Sequence, residues 1–337
     1  MEIFEPDIER KRRMMSKFEL GMAITFNFDL KEINEVPISD VAARIDEGVF
    51  CWGHLPLNDS GYEVLKMVGV DLDTVDRIVN NQGHGVLRFG RSAIHCTLLE
   101  AAAEGRNLTL KPIHLVIGEN FIFTLCDGHS GVIEHVCDSY REDFYQHAQS
   151  GGFLLFELVD SLILDYRQTL GELAGDVESM QNRLIRNAKD KDIFQDFSIL
   201  SAALLEFRNA VAVARESVDG LSNRRSKFIS ESAQPFLERQ AIPLDRLSGD
   251  ATTERAILSE TLNLYMGMTS HNTNLVINRL VVISMVFLPL NFLAAVYGMN
   301  FKYIPEFGWR FGYLAFWCLA ISLVTTIIIV CRRKKWL

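Results

Sequence analysis

Polar and apolar positions divide the chain into three regimes. Over residues 1–150, short apolar runs at 21–28, 86–89, 114–117 and 120–126 are separated by Gly, Asn and Asp. That is the pattern of strands and turns. Residues 71–80 and 97–104 have the look of helices. A mixed α/β domain is predicted there, with the strand order left open. From residue 153 to 187 the period changes. Leu155, Leu158, Leu162, Leu170, Leu173, Val177, Met180 and Leu184 recur at three and four, as on one face of a long amphipathic helix. Glu157, Asp160 and Asp165 interrupt its apolar start, so it does not read as a membrane span. A polar break follows at 189–192. A second helix is expected over about 196–220, with a kindred segment up to 241. The Gln234-Pro235 and Ile242-Pro243 steps read as turns, because a proline disfavours the helical conformation of the residue before it.

A third helix is expected from near Asp250 through Tyr265 and Asn274 to Tyr297, about 48 residues or roughly 70 Å at 1.5 Å per residue. Its first half is polar. From Leu280 to Tyr297 it carries no charge, which meets the rough 18-residue threshold for crossing a bilayer. Residues 311–331 form a second uncharged run of 21 residues. The ten or so residues between the two make a short connector, so the two spans are antiparallel. Arg332, Arg333, Lys334 and Lys335 follow the second span, which by the positive-inside rule puts the C-terminus in the cytoplasm. Both termini are then inside and the connector is outside. The charged N-terminal twenty residues do not read as a signal peptide.

Charge sharpens the division. The 337-residue chain carries −9 and residues 277–337 carry +6, so residues 1–276 carry −15. An acidic soluble part excludes phosphate-backbone binding as its main business, so no nucleic-acid partner is expected. It suits a surface that concentrates cations or one that acidic residues merely keep soluble. The six cysteines, Cys51, Cys96, Cys126, Cys137, Cys318 and Cys331, form no CxxC and are expected reduced.

The connector reads Tyr297-Gly298-Met299-Asn300, then Phe301-Lys302-Tyr303-Ile304-Pro305-Glu306-Phe307-Gly308-Trp309. Here the sequence resembles the CorA superfamily of divalent-cation transporters. Tyr-Gly-Met-Asn at the end of the first of two C-terminal spans is that family's signature. The Pro-Glu and Trp of the loop and the basic tail ending Lys335-Trp336-Leu337 fit as well. The resemblance is clearest over residues 260–337 and looser, as helical architecture, back to Phe153. It implies an α+β membrane protein that works as a homopentamer. Its parts are a cytoplasmic α/β domain (1–150), a helical bundle (151–249), a stalk helix (250–279) continuous with the first span (280–300), an external loop (301–310), a second span (311–331) and a basic cytoplasmic tail (332–337). The place implied is the inner membrane of the cell, multi-pass, and the partners are divalent cations, further copies of the chain and the bilayer.

The chemistry of the named residues agrees with such a task. Mg2+ prefers six oxygens and gives up its waters reluctantly. A ring of Asn300 side chains with Gly298 or Met299 carbonyls, one set per subunit, reads the hydrated ion through neutral oxygens. Met299 packs rather than ligating a hard cation. Gly298–Asn300 as a plain helix C-cap is the bland alternative. Glu306 attracts cations to the mouth, but Lys302 and Arg310 leave the loop at +1. A heptad stripe, Asn274, Ile277, Val281, Ser284, Leu288, Asn291 and Ala295, mixes neutral polar with apolar residues and holds no charge. It reads as a pore lining in which Ile277 and Leu288 close the path by dewetting, or as a packed helix seam. Pro289 beside it loosens the helix locally.

Mg2+ uptake is the first reading. Zn2+ transport of the related ZntB type, with protons coupled, is the alternative. A membrane-anchored metal sensor or scaffold that conducts nothing is the reading from another class. No enzyme is expected, and no cofactor beyond transported or regulatory Mg2+ or Zn2+. The resemblance implies gating by divalent cations between cytoplasmic domains. Asp71, Asp73, Asp76, Asp190, Asp192 and Asp196 are clustered carboxylates of the needed type, and none is singled out as sensor. Cys51-x-x-His54, His95-Cys96, Cys126-x-x-His129 and His135-x-Cys137 place zinc-type ligands close in sequence, at spacings that match no structural zinc module.

Overall fold

The structure is a computed structural model and describes residues 21–80, 86–105, 107–146, 148–186, 193–224, 226–299 and 308–334. It forms two compact units, one up to Ser259 and one from Glu260.

The first unit is built on a seven-stranded sheet of order β2-β1-β3-β7-β6-β5-β4. The strands are β1 (Met22–Asn27), β2 (Glu32–Pro37), β3 (Phe50–Pro56), β4 (Val86–Phe89), β5 (Ile94–Glu104), β6 (Asn107–Ile117) and β7 (Phe121–Cys126). Only β3 and β7 run parallel among these neighbours; the rest pair antiparallel. Three short helices, α1 (Val41–Asp46), α2 (Asp59–Met67) and α3 (Leu72–Asn80), cover one face. Val41, Leu65, Val75 and Ile78 pack there with Ala23, Cys51, Leu55 and Phe123. The strand alternation sends Phe26 and Trp52 to the other face. There they meet α4 (Gly131–Gln146) and α5 (Gly152–Arg186) in an aromatic cluster. Phe26 lies 5.1 Å from Phe144 and 5.3 Å from Phe153, and Trp52 lies 5.5 Å from Tyr140. Helix α6 (Ile193–Asn223) packs on β4, β5, β6 and α5.

Three expectations are corrected here. Residues 97–104, read as helical, lie in β5. Their alanine-rich sequence favours a helix locally, but β6 pairs with them along the whole length, from Ile94 opposite Ile117 to Glu104 opposite Asn107. Beyond Thr97, β4 no longer covers the other edge of β5. Helix α5 covers it instead. The Tyr166 hydroxyl donates to Leu99 O (2.6 Å) and the Thr169 hydroxyl to Ala101 O (2.8 Å), while Asp165 accepts from Ala101 N (3.1 Å). Pairing outweighs propensity wherever backbone groups are buried.

Second, the helical segment expected to run on to residue 241 ends at Asn223, and a new helix begins at Gln234. Third, neither proline step is a turn. Helix α7 (Gln234–Tyr297) starts well before Asp250 and has 64 residues. Pro235 sits in its first turn, where the missing N–H leaves no bond unmade. Pro243 lies inside, at a cost of about 3 kcal/mol. Burial of Leu237, Leu244, Leu247, Ala251 and Leu258, spaced by three, four or seven residues on one face, offsets that cost.

The second unit holds the rest of α7 and α8 (Gly312–Arg333). Among the described residues three helices are long and apolar enough to cross a membrane: α6, α7 and α8, with mean hydropathies of 1.4, 2.2 and 2.6. Their apolar stretches are 39%, 6% and 11% buried within the chain. Helix α6 therefore spends its apolar face on the sheet, whereas α7 and α8 leave theirs uncovered.

Candidate functional site

In the second unit, α7 presents two different faces. Val282 is buried, and Val286, Pro289 and Leu293 are half-buried at the same spacing. Across the unit, Ala320 and Cys331 are the buried residues of α8. The heptad stripe lies well round the helix from Val282. Asn274, Ile277, Val281, Ser284, Leu288, Asn291 and Ala295 are all exposed, so the structure brings them together on one uncovered stripe. The Ser284 hydroxyl donates to Leu280 O at 3.0 Å, which spends its proton on the helix and leaves oxygen lone pairs outward. At the same spacing the stripe continues upstream through Asn263, Gly267 and Ser270, also exposed. Sequence reading stopped at Asn274, although the three-and-four spacing alone was enough to extend it.

Helix α7 ends at Tyr297 in a tightened turn. Gly298 N bonds to both Ala294 O (2.9 Å) and Ala295 O (3.2 Å), and Met299 N to Val296 O (3.3 Å). Gly298 does not adopt a left-handed φ. What glycine supplies is room, since a Cβ there would meet Ala294 O at 3.2 Å. Met299 is exposed. Asn300, Lys302, Glu306 and Lys335 lie outside the described residues. Trp309 and Arg310, where the described chain resumes, are exposed.

The described soft ligands of the first unit meet in pairs but in no larger group. Cys51 and His54 point to opposite faces of β3 by strand alternation. The thiols of Cys51, Cys96 and Cys126 are each pushed up to about 12 by burial, so none is a thiolate ready for metal. Burial likewise lowers His54 and His114 to about 4. Cys126 Sγ lies 3.8 Å from His54 Nε2, and His95 Nε2 lies 3.2 Å from His114 Nδ1. His129 faces Glu134 at 3.3 Å. Among the described residues no three His, Cys, Asp or Glu side chains gather as a metal site. Two of the clustered carboxylates serve the fold. Asp71 caps α3 by accepting from Thr74 N at 2.7 Å, and Asp196 pairs with Arg183 at 2.7 Å. Asp190 and Asp192 lie outside the described residues.

Two carboxyls that sequence reading passed over as mere interruptions stand out on α5. Burial raises Glu157 to about 7, opposed by a 2.9 Å bond from Ser139 and reinforced by Asp143 and Asp160. Asp165 is also raised to about 7, by burial first, against the bond from Ala101 N, with Glu100 adding repulsion. A carboxyl raised in the folded state holds its proton there after the unfolded chain has lost it. The first unit therefore loses stability as pH rises from about 4 through 7. Asp165→Asn keeps an acceptor for Ala101 N and removes the titration. Its melting temperature is expected to gain on wild type from pH 5 to pH 8. An equal difference at both pH values would show that Asp165 does not titrate in this window.

Comparison with known proteins places this geometry. The profile of the family described as CorA-like Mg2+ transporter protein matches residues 49–335. The cobalt/magnesium transport protein CorA of Thermotoga maritima is 28% identical over 320 residues, covering 92% of this chain and 91% of that one. The complete structure of the CorA magnesium transporter of Methanocaldococcus jannaschii superposes with a TM-score of 0.79 at 15% identity, covering 94% of this chain and 98% of that one. The cytoplasmic domain of ZntB from Vibrio parahaemolyticus shares the soluble fold, with a TM-score of 0.50 at 13% identity over 66% of this chain and 88% of that one. With a two-unit fold, two uncovered apolar helices and a match over most of its length, the chain belongs to the CorA-like Mg2+ transporter family.

Proposed function

We propose that the chain carries divalent metal cations across the inner membrane, Mg2+ first among them, through a pore lined by α7 from several copies. The observation that carries this reading is the uncovered stripe of α7, uncharged and mixed in polarity from Asn274 to Ala295. A single pair of helices encloses no path, so a closed ring of copies is required. The family resemblance supports five copies in that ring. Ser284 and Asn291 offer neutral oxygens to a hydrated ion, and Ile277 and Leu288 form apolar constrictions along the same stripe. The mouth is Gly298, Met299 and Asn300, where a ring of side-chain oxygens reads the ion's water shell rather than stripping it. Glu306 adds local negative charge beside it. The basic end of α8 at Arg332, Arg333 and Lys334 supports a cytoplasmic C-terminus, and with two spans the acidic first unit lies on the same side.

The test is ion flux in proteoliposomes holding the full chain, with Mg2+ and Zn2+ offered separately, with and without a pH gradient. Mg2+ flux indifferent to the pH gradient is expected. Zn2+ flux that follows the gradient would move the assignment to a proton-coupled zinc transporter. No flux of either ion from a folded, assembled protein would leave a membrane-anchored sensor or scaffold.

A further inference from the structure

The end of α7 is held from the side by an aromatic contact. The Tyr297 ring meets Phe316 of α8 in a T-shape, with centroids 5.4 Å apart and planes at 75°. Phe316 in turn stands edge-on to Trp317 at 5.9 Å, and Trp317 to Tyr313 at 6.5 Å. Behind Tyr297, α7 is fixed by its own hydrogen bonds. Ahead of it, the described residues Gly298 and Met299 are held by few contacts. Gly298 has no side chain, and its single N–H is shared between two carbonyls. Met299 is exposed and its N–H bond, at 3.3 Å, is long. Among the described residues around this turn, Tyr297 makes an aromatic contact to α8, and one peptide unit separates it from Gly298.

We propose that Phe316 is a positioning residue for ion recognition: its ring fixes Tyr297 and so aims the Gly298–Met299 backbone that leads into Asn300. This rests on the reading of Gly298–Asn300 as the ion mouth. An edge-to-face contact gives direction as well as packing, because the positive ring edge seeks the negative face of its neighbour. Removing it leaves Tyr297 unbraced on that side, and the oxygens that meet the ion lose their common geometry. Phe316 touches no ion. Its loss therefore weakens recognition without removing a ligand.

The experiment measures the half-saturating Mg2+ concentration for flux in proteoliposomes of the full chain. That concentration does not depend on how much protein folded correctly. Phe316→Leu keeps an apolar side chain without a ring and Phe316→Tyr keeps the ring. Phe316→Leu is expected to raise the half-saturating concentration roughly threefold to tenfold, the range that an edge-to-face pair supports. Phe316→Tyr is expected to stay near wild type. Tyr297→Leu combined with Phe316→Leu is expected to be no worse than Tyr297→Leu alone, since the two rings act as one contact. Phe316→Leu at the wild-type value, or Phe316→Tyr as impaired as Phe316→Leu, would overturn the proposal. Asn300→Ala measured alongside separates the two levels. Flux that survives Asn300→Ala sinks the mouth reading itself, whereas flux that needs Asn300 but ignores Phe316→Leu sinks only the positioning role.

Discussion

Asn300→Ala is expected to reduce Mg2+ flux in proteoliposomes by about a hundredfold or more, with the assembled oligomer intact. The size follows from symmetry. In a closed ring every subunit loses the same group at once. Each side-chain oxygen facing a hydrated ion contributes about 1 kcal/mol net. Losing several together costs a few kcal/mol, and each 1.4 kcal/mol is tenfold in rate or occupancy. Alanine adds no bulk and no charge, so it cannot plug the mouth or repel the ion. The measurement is initial flux per assembled oligomer, with size-exclusion chromatography as the control. Flux within twofold of wild type would remove Asn300 from the mouth and return Gly298–Asn300 to the role of a helix end.

The second large effect is on stability. Tyr166→Ala is expected to destabilise the first unit by about 3–5 kcal/mol, and Tyr166→Phe by about 1–3 kcal/mol. Tyr166 is fully buried, and its ring stands T-shaped on Phe207 at 5.6 Å. Its hydroxyl donates to Leu99 O at 2.6 Å, on the stretch of β5 beyond its pairing with β4. Burial pushes the phenol far above its ordinary range, so it stays protonated and remains a donor. Alanine opens a cavity and strands the Leu99 carbonyl; phenylalanine only strands the carbonyl. Denaturant midpoints of the three proteins order the effects directly. A Tyr166→Phe midpoint equal to wild type would mean that the hydroxyl does not secure the sheet edge.

The same sheet edge shows where local sequence misleads. Residues 97–104 have helical composition, and nothing within them announces the eleven-residue pairing with β6 or the side chains of α5 that replace a neighbouring strand. Pro243 misleads in the other direction. A proline reads as a stop, but a buried stripe on both sides of it carries the helix through. Both errors are of one kind. The deciding energy comes from residues far away in sequence, and a local rule contains no term for it.

The membrane half was legible for the opposite reason. A bilayer imposes a fixed thickness and excludes charge, so length and composition of a continuous segment suffice to mark a span. The uncharged runs before Tyr297 and after Gly312, the stripe from Asn274 to Ala295 and the Tyr-Gly-Met-Asn signature are all linear features, and the sequence by itself determined them. Tertiary structure alone decided what the linear pattern leaves degenerate: which apolar helix is spent on a sheet, as α6 is; which cysteines and histidines converge, as Cys51 and His54 do not; and which carboxyls are pushed to titrate near neutrality, as Glu157 and Asp165 are. Burial and proximity are properties of packing, and packing is written in three dimensions by groups that the chain keeps far apart.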